Sequence, residues 1–304
     1  MTSKVDKLLS EMINLHPKYI DLSLKRLKNL LKKLGNPHFS LPSTIHIAGT
    51  NGKGSTLSFL RNILMQNGYS CHAYISPHLN KFNERIIIND KEISTLKLYN
   101  CLKHVKEINN NNKITFFEIT TAAAFVMFAK HKADFLILET GLGGRLDATN
   151  IIPKKMLSII TNISMDHEEF LGKTIKKIIN EKLGITNFSE NILISKQKSN
   201  VEKIIKLKLI DKKNVFYYNK NYSFLNTEKN KFIFKFNERR YLVKKPKMLG
   251  EHQLENASTA LAASILIKNF GFKIKFNLFN KSISNTHWPG RLEMVRFNDK
   301  KLIF

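Results

Sequence analysis

The sequence is poor in cysteine: only Cys71 and Cys101 occur among its 304 residues. Neither lies in a Cys-x-x-Cys pair or in a Cys/His cluster with zinc-ligand spacing, which excludes a disulfide framework and a structural zinc site. The sequence also lacks an apolar run of about 18 residues and an amino-terminal signal pattern, so neither a membrane span nor a secretory leader is expected. These absences predict a protein of the reducing cytoplasm with no membrane partner.

Arginine is scarce as well, although the chain is strongly basic. Its 50 basic and 24 acidic residues give a net charge of +26, which by itself favours an anionic partner such as nucleic acid. Only 8 of the 50 basic residues are arginine, however, and phosphate and base recognition depends strongly on arginine forks. Lysines also occur throughout helical patterns such as 25–33 and 173–182, where a solvated face is the simpler interpretation. We therefore expect no nucleic-acid partner.

Apolar side chains, 42% of the chain, fall into short runs that alternate with helical patterns. The runs occupy residues 44–48, 72–76, 134–139 and 156–161, and each ends in a polar or glycine-rich loop. This order predicts an α/β fold of the P-loop type, with a mostly parallel sheet, helices on both faces and ligands at the carboxyl ends of the strands. Residues 231–237 alternate with period two, which predicts a small antiparallel excursion.

The strongest local signal is a glycine-rich loop between a predicted strand and a predicted helix. It reads Gly49, Thr50, Asn51, Gly52, Lys53, Gly54, Ser55. Consecutive backbone N–H groups and a helix amino terminus form an anion site, to which Lys53 adds a cation and Ser55 a hydroxyl for Mg²⁺. The spacing differs from the usual P-loop, because the hydroxyl comes two residues after the lysine. We interpret the loop as a triphosphate site; the alternative is an ordinary glycine-rich turn.

Three polar residues near strand ends are candidate metal ligands. Ser76 and Glu139 each close an apolar run, and His167 lies in the loop after the fourth run. Mg²⁺ prefers oxygen ligands, so Ser76 and Glu139 suit it better than His167 does. Taken singly, the histidine is equally explained as a hydrogen-bonded structural residue and the glutamate as a solvated strand end.

A second glycine-rich segment follows Glu139 and ends at Asn150. Its three glycines permit a tight turn with a ligand against the backbone, and Arg145 has the geometry to bind a carboxylate or phosphate with two hydrogen bonds. The alternative is a simple turn in which Arg145 pairs with Asp147.

Eight ordered blocks of sequence together resemble one protein family. They are HIAGTNGKGST, SPHLNKFNERI, FFEITTAAAF, ETGLGGRLDATN, ISMDHEEFLGKT, NEKLGI, GEHQLENASTALAA and WPGRLE, between His46 and Glu293. These blocks resemble those of folylpolyglutamate synthase and dihydrofolate synthase, the folate branch of the Mur ligase superfamily. The resemblance implies an ATP- and Mg²⁺-dependent ligase that joins L-glutamate to dihydropteroate or a reduced folate through an acyl phosphate. It also implies a monomer with small-molecule partners.

The resemblance further implies roles for individual residues. The loop from Asn51 to Ser55 would hold the phosphates, Ser76 and Glu139 one Mg²⁺, and His167 a second. Two residues, Asn256 and Arg291, would contact the nucleotide. Lys182 occupies the place of a lysine that the family carboxylates to a carbamate, which requires a cationic neighbourhood that lowers its pKa.

The pterin-bearing substrate would be bound by three short blocks. These are Asp21, Leu22 and Ser23; Phe117, Glu118, Ile119 and Thr120; and Arg145, Leu146 and Asp147. An aromatic ring such as Phe117 stacks on a flat heterocycle, and a carboxylate such as Glu118 accepts from its amino groups. The alternative for Phe117 is core packing, and Ser23 stands where the family usually has glycine.

Family members continue beyond the last block into a Rossmann-like domain that helps to form the glutamate site. We therefore expect residues 1–290 to be the ATP-binding domain and 291–304 a linker stub, with little ligase activity in these 304 residues alone. A nucleotide-binding but inactive remnant and a non-enzymatic basic binding module remain as alternatives.

Overall fold

The computed structural model describes residues 3–227 and 230–288 with their side chains, and the backbone of 294–297 and 300–303. The described helices are α1 (Lys4–Ile13), α2 (Lys25–Lys33), α3 (Lys53–Gln66), α4 (Thr95–Asn109), α5 (Phe116–Lys130), α6 (Glu168–Leu171), α7 (Ile175–Leu183), α8 (Ser199–Lys208), α9 (His252–Asn269) and α10 (Phe279–Ser284). Short 3₁₀ turns occupy Pro37–Phe39, Phe82–Arg85, Ala148–Ile151, Gly184–Thr186 and Phe276–Leu278. In these described residues, no helix is both long and apolar enough to cross a membrane.

The described strands form one large sheet and two small ones. They are β1 (Ser43–Ala48), β2 (Cys71–Tyr74), β3 (Ile86–Ile88), β4 (Lys91–Glu92), β5 (Phe135–Glu139), β6 (Lys155–Ile160), β7 (Ser189–Ile194), β8 (Val215–Tyr217), β9 (Tyr222–Asn226), β10 (Lys231–Phe236), β11 (Arg239–Lys244), β12 (Met294–Phe297) and β13 (Lys300–Ile303). The strand pair β12–β13 lies within the stretch that we predict to be a linker.

The large sheet has eight strands in the order β4-β3-β2-β5-β1-β6-β7-β8. The six strands β2, β5, β1, β6, β7 and β8 all run parallel to their neighbours. At the β2 end, β3 and β4 add an antiparallel edge. The predicted α/β class with a mostly parallel sheet is confirmed. Strand β1 is central and its two neighbours come later in the chain, so the loop after β1 opens at a point where the strand order reverses, the usual ligand position of such sheets.

Helices cover both faces of this sheet because its strands are apolar on both sides. Helices α3, α9 and α10 pack on one face, together with the three-stranded antiparallel sheet β11-β10-β9. Helices α1, α2, α4 and α5 cover part of the other face, and α7 and α8 cover the rest. The predicted antiparallel excursion is confirmed as β9 to β11, which leaves the chemistry to the loops at the carboxyl edge of the large sheet.

Two lysines, Lys155 and Lys182, are fully buried within the described chain, and for Lys182 this differs from the solvated face predicted for residues 173–182. Lys182 is on α7, and Lys155 begins β6 with 1% of its surface exposed. The Lys155 ammonium donates to the backbone oxygen of Asn187 at 2.8 Å. Burial lowers the pKa of Lys155 to about 8, because the charged form loses its hydration.

Candidate functional site

The loop after β1 folds against the end of β6. The backbone N–H of Thr50 donates to the Asn162 oxygen at 2.8 Å, and the Thr50 hydroxyl donates to the Ser164 oxygen at 3.0 Å. A Cβ atom at Gly49 would lie 1.9 Å from the Thr161 hydroxyl oxygen, so only glycine fits there. Contacts with the segment that follows β6 thus hold the loop in place ahead of the amino terminus of α3.

Helix α9 closes the loop from the opposite side. Gly52 has φ +85°, and a Cβ atom there would lie 2.3 Å from Oδ1 of Asn256. Asn256 in turn donates to Gln253 Oε1 at 3.2 Å. A Cβ atom at Gly54 would lie 3.2 Å from Cζ2 of Trp288. The structure therefore brings the predicted nucleotide residue Asn256 to the loop, while the other one, Arg291, lies outside the described residues.

Two ammonium groups converge on the carbonyl oxygen of Gly49. Lys53 Nζ donates to it at 3.1 Å and to the Thr50 oxygen at 3.3 Å, and Lys182 Nζ donates to it at 2.9 Å. Lys182 is 2% exposed, and its nearest carboxylate is that of Asp166, 3.6 Å away. Burial and the charge of Lys53 lower the pKa of Lys182 to about 8, against the opposing effect of Asp166. The loop is thus strongly electropositive.

Ser76 and Glu139 meet at the carboxyl edge of β2 and β5. The Ser76 N–H donates to Glu139 Oε2 at 3.3 Å, and the Ser76 hydroxyl oxygen is buried without a hydrogen-bond partner. Both residues line a cavity of about 620 Å³ whose wall includes Gly54. The neighbouring Ser55 is 4% exposed. An unsatisfied hydroxyl beside a buried carboxylate is a donor set that suits a hard cation such as Mg²⁺.

His167 takes a different position from these two residues. It precedes α6 with φ +44°, half of its side chain is exposed, and Nε2 lies 3.5 Å from the Asp166 carboxylate. His167 and Ser76 line a common cavity. In the described part of the chain, no three His, Cys, Asp or Glu side chains are arranged to hold a metal. A cation here would need hydroxyl and phosphate oxygens as further ligands.

This second cavity, of about 340 Å³, is mainly apolar and lies next to the first. Leu22, Ser23 and Phe117 are among its lining residues, and Ser76 and Pro77 border both cavities. The Phe117 ring packs on Gly141, where a Cβ atom would lie only 2.6 Å from the ring, and it stacks on Tyr74 at a centroid distance of 5.9 Å. Phe117 therefore packs on its neighbours with one side and lines the cavity with another.

The two carboxylate oxygens of Glu118 differ in their hydrogen bonds, because Oε2 accepts three and Oε1 accepts none. Oε2 accepts from the backbone N–H and the hydroxyl of Thr115, each at 2.8 Å, and from Arg26 Nε at 3.0 Å. Arg26 also donates to Asp21 Oδ2 at 2.9 Å. Oε1 is buried without a partner, and Glu118 lines the apolar cavity. The wall of the cavity therefore includes a carboxylate oxygen, Glu118 Oε1, that could accept a hydrogen bond from a ligand.

Ile119 and Thr120 do not line this cavity, although they belong to the predicted substrate block. Both are 0% exposed, and the Thr120 hydroxyl donates to the Phe116 oxygen at 2.8 Å within α5. Their side chains pack α5 into the core, because this helix is apolar on all sides and buries most of its surface.

Arg145 points away from the cavity, and the alternative that it pairs with Asp147 is wrong. Its guanidinium binds Glu181 Oε1 at 2.9 Å, and 55% of the side chain is exposed. Asp147 accepts instead from the N–H groups of Leu142 and Thr149, each at 2.9 Å, and burial raises its pKa. Leu146 and Asp147 do line the cavity, so this block is divided between two environments.

Sequence reasoning missed three residues that the structure places in contact with candidates. Asp166 lies beside Lys182, Thr161 supports Gly49, and Arg26 orients Glu118. Asp166 is adjacent to His167 and could have been singled out with it. Arg26 was hidden in a lysine-rich helix, where the pattern indicates a solvated face.

A family model and a curated relative both connect this chain with the Mur ligases and the folate synthases among them. A family model described as Mur ligase middle domain matches residues 47–264. A protein from Bacillus subtilis named dihydrofolate synthase/folylpolyglutamate synthase is 36% identical over 286 residues, which cover 90% of this chain and 66% of that protein. The chain therefore spans slightly less than two thirds of this relative.

Solved structures agree with the sequence comparison. "E.coli FolC in complex with DHPP and ADP" superposes with a TM-score of 0.86 at 29% identity, covering 100% of this chain and 70% of the other. A bifunctional folylpolyglutamate synthase/dihydrofolate synthase with Mn, AMPPNP and L-glutamate bound gives a TM-score of 0.81 at 28% identity, with coverages of 97% and 69%.

Proposed function

The chain belongs to the Mur ligase family, and from this membership we propose that it acts as an ATP-dependent ligase that joins L-glutamate to a pterin-bearing carboxylate. One observation carries the proposal. The ammonium groups of Lys53 and Lys182 converge on the Gly49 oxygen in a loop whose backbone precedes a helix. The Lys53 ammonium and the amino terminus of the helix together form a site that attracts the phosphates of a nucleotide.

The reaction needs an activated acyl group, because a free carboxylate is a poor electrophile. The substrate carboxylate attacks the γ-phosphorus of ATP, ADP leaves, and an acyl phosphate forms. The neutral amine of L-glutamate then attacks the acyl carbon, phosphate leaves, and the amine loses a proton as the amide forms. Lys53 offsets the negative charge on the transferring phosphoryl group, and the loop N–H groups fix its orientation.

For Mg²⁺, we propose Ser55, Ser76 and Glu139 as the protein ligands of one ion and His167 as a ligand of a second. The unsatisfied Ser76 hydroxyl beside Glu139 supports the first site. When bound, Mg²⁺ neutralises phosphate charge and aligns the γ-phosphoryl group for in-line transfer. The position of His167 at the same cavity as Ser76 supports the second.

The apolar cavity is the proposed pterin pocket. Its flat wall is the Phe117 ring, and Glu118 Oε1 is positioned to accept from a ring amino group. Because Ser76 borders both cavities, a ligand whose ring lies in the apolar cavity would direct its carboxylate towards the phosphate loop. Dihydropteroate and reduced folates have this shape, with a ring at one end and a carboxylate at the other.

Lys182 is proposed to carry a carbamate. Carbamate formation requires a neutral amine, and a pKa of about 8 leaves a substantial neutral fraction at cellular pH. The test is ¹³C NMR of protein equilibrated with ¹³C-bicarbonate and Mg²⁺. A carbamate resonance that disappears in Lys182→Arg supports the proposal, and an unchanged spectrum in that variant contradicts it.

The central experiment measures Mg²⁺-dependent ATP binding by calorimetry. Lys53→Met should weaken binding by about 10- to 100-fold, since a charge-assisted hydrogen bond contributes about 1.5–3 kcal/mol. Lys28→Met, an exposed lysine on α2, is the matched control and should leave the affinity unchanged. Absence of Mg²⁺-dependent binding, or equal effects of the two substitutions, would contradict the proposed site.

Ligation is tested separately with ATP, Mg²⁺, L-glutamate and either dihydropteroate or tetrahydrofolate, following amide product and released phosphate. We propose that the protein works as a monomer in the cytoplasm. The two cysteines support a reducing compartment, because both are buried as free thiols.

A further inference from the structure

The small antiparallel sheet presents an unusual outer face. Burial alternates along its central strand β10, and the inward aromatic and aliphatic side chains of all three strands pack on α9 and α10. The outward side chains, called here the outer face, are Ser223, Leu225, Lys231, Ile233, Lys235, Arg240, Leu242 and Lys244. The outer face therefore contains four cations, three aliphatic residues, one serine and no acidic residue.

The four cations lie directly opposite one another. The register pairs Lys231 with Lys244 and Lys235 with Arg240 across β10 and β11. Like charges in such positions destabilise a sheet, and none of these four side chains forms an ion pair with any described residue. Protective charges against sheet aggregation usually lie on edge strands, whereas Lys231 and Lys235 are on the central strand. The arrangement is one that an external negative charge would stabilise.

An apolar row runs between the two cationic pairs. Ile233 pairs with Leu225 on one side and with Leu242 on the other. Leu225 is 56% exposed and Leu242 is 55% exposed. Aliphatic side chains flanked by lysine and arginine are typical of surfaces that lie at the headgroup layer of a bilayer.

Other occupants are less suitable for this surface. Three strands of five or six residues cover about 14 Å by 17 Å, far below the roughly 800 Å² per partner of a stable protein interface. The outer face presents no aromatic side chain, so single-stranded nucleic acid would find no ring on which to stack its bases. A bilayer is planar, and the attraction of each added cation to its anionic surface is nearly additive.

We propose that the outer face of β9 to β11 is a peripheral docking surface for anionic lipid membranes. The overall composition predicts no membrane partner, but composition does not show which side chains share one face of a sheet. None of the outer-face residues lines either cavity of the candidate site, so docking there would place the protein at a bilayer without occupying the nucleotide site.

The test is co-sedimentation with vesicles of phosphatidylcholine alone or with about 30% phosphatidylserine. The protein should bind the anionic vesicles, bind the neutral ones much more weakly, and dissociate as salt is raised. Lys235→Gln combined with Arg240→Gln should weaken binding by about 30-fold, because each cation near an anionic bilayer contributes about fivefold. The separate Leu225→Ser, Leu242→Ser pair should also weaken binding.

A charge-matched control separates this surface from the general positive charge of the chain. Lys4→Gln with Lys7→Gln removes the same charge from α1, on the opposite face of the large sheet. This control should change vesicle binding by less than about twofold, because cations on the opposite face would lie more than a Debye length from a bilayer docked on the outer face. Circular dichroism of each variant checks that it is folded. Equal losses in the two charge variants, equal binding to neutral vesicles, or a stronger preference for an RNA homopolymer would each overturn the proposal.

Discussion

Replacing the buried Lys155 by methionine is expected to stabilise the protein at neutral pH. The pKa of Lys155 is lowered from 10.5 to about 8, so the unfolded chain binds more protons than the folded one between these values. Each pKa unit corresponds to about 1.36 kcal/mol, and the folded state therefore carries a penalty of about 3 kcal/mol below pH 8. Loss of the hydrogen bond to Asn187 offsets about 1 kcal/mol of this, which leaves a net gain of about 2 kcal/mol.

The advantage of Lys155→Met should disappear as the pH rises. Wild-type stability recovers between pH 8 and 10.5 as Lys155 loses its proton, whereas methionine does not titrate. Urea unfolding of both proteins at pH 7, 8.5 and 10 gives the difference in the free energy of unfolding at each pH. Effects of other titrating groups, including Lys182, cancel in this comparison.

The adjacent Lys154 provides a matched control for the same measurement. Its side chain is 75% exposed and pairs with Glu190 at the surface. Lys154→Met should change the free energy of unfolding by less than about 1 kcal/mol, as expected for an exposed ion pair. A pH-independent effect of Lys155→Met, or a wild type more stable than this variant at pH 7, would refute the reasoning.

Three further predictions concern the candidate site. Gly52→Ala should weaken ATP binding by about tenfold through a clash with α9, whereas Gly68→Ala, at a similar φ in open space, should leave calorimetric ATP affinity unchanged. Arg26→Gln should weaken binding of a pterin-bearing ligand by about tenfold by releasing Glu118, measured by fluorescence titration; an equal loss of ATP affinity would contradict this. Ser76→Ala should raise the Mg²⁺ concentration needed for ATP binding by about tenfold, and an unchanged Mg²⁺ dependence would count against the metal site.

The sheet and the glycine-rich loop after β1 were predictable because their signals are local. Strands buried on both faces are apolar throughout, and the glycines at 49 and 52 stand where side chains from distant segments leave no room for a Cβ atom. The antiparallel excursion was predictable for the same reason, since period two in residues 231–237 reports one buried and one exposed face.

Side-chain orientation around the apolar cavity was not predictable in the same way. Helix α5 is apolar on every side, so no periodicity distinguishes Phe117, which lines the cavity, from Ile119, which packs in the core. The partner of Arg145 was also hidden, because Glu181 is 36 residues away and meets it only through the packing of α7 against the glycine-rich segment. Such contacts depend on tertiary structure, which spacing along one chain does not encode.

The edges of the large sheet have a consequence for the behaviour of the protein at high concentration. The outermost strands, β4 and β8, contain two and three residues, and β4 presents a lysine and a glutamate. Strands this short expose few free backbone donors and acceptors, so a neighbouring molecule gains little by pairing along them. Crowded or concentrated solutions should therefore not promote growth of the sheet from one molecule to the next, despite the long apolar strands in its interior.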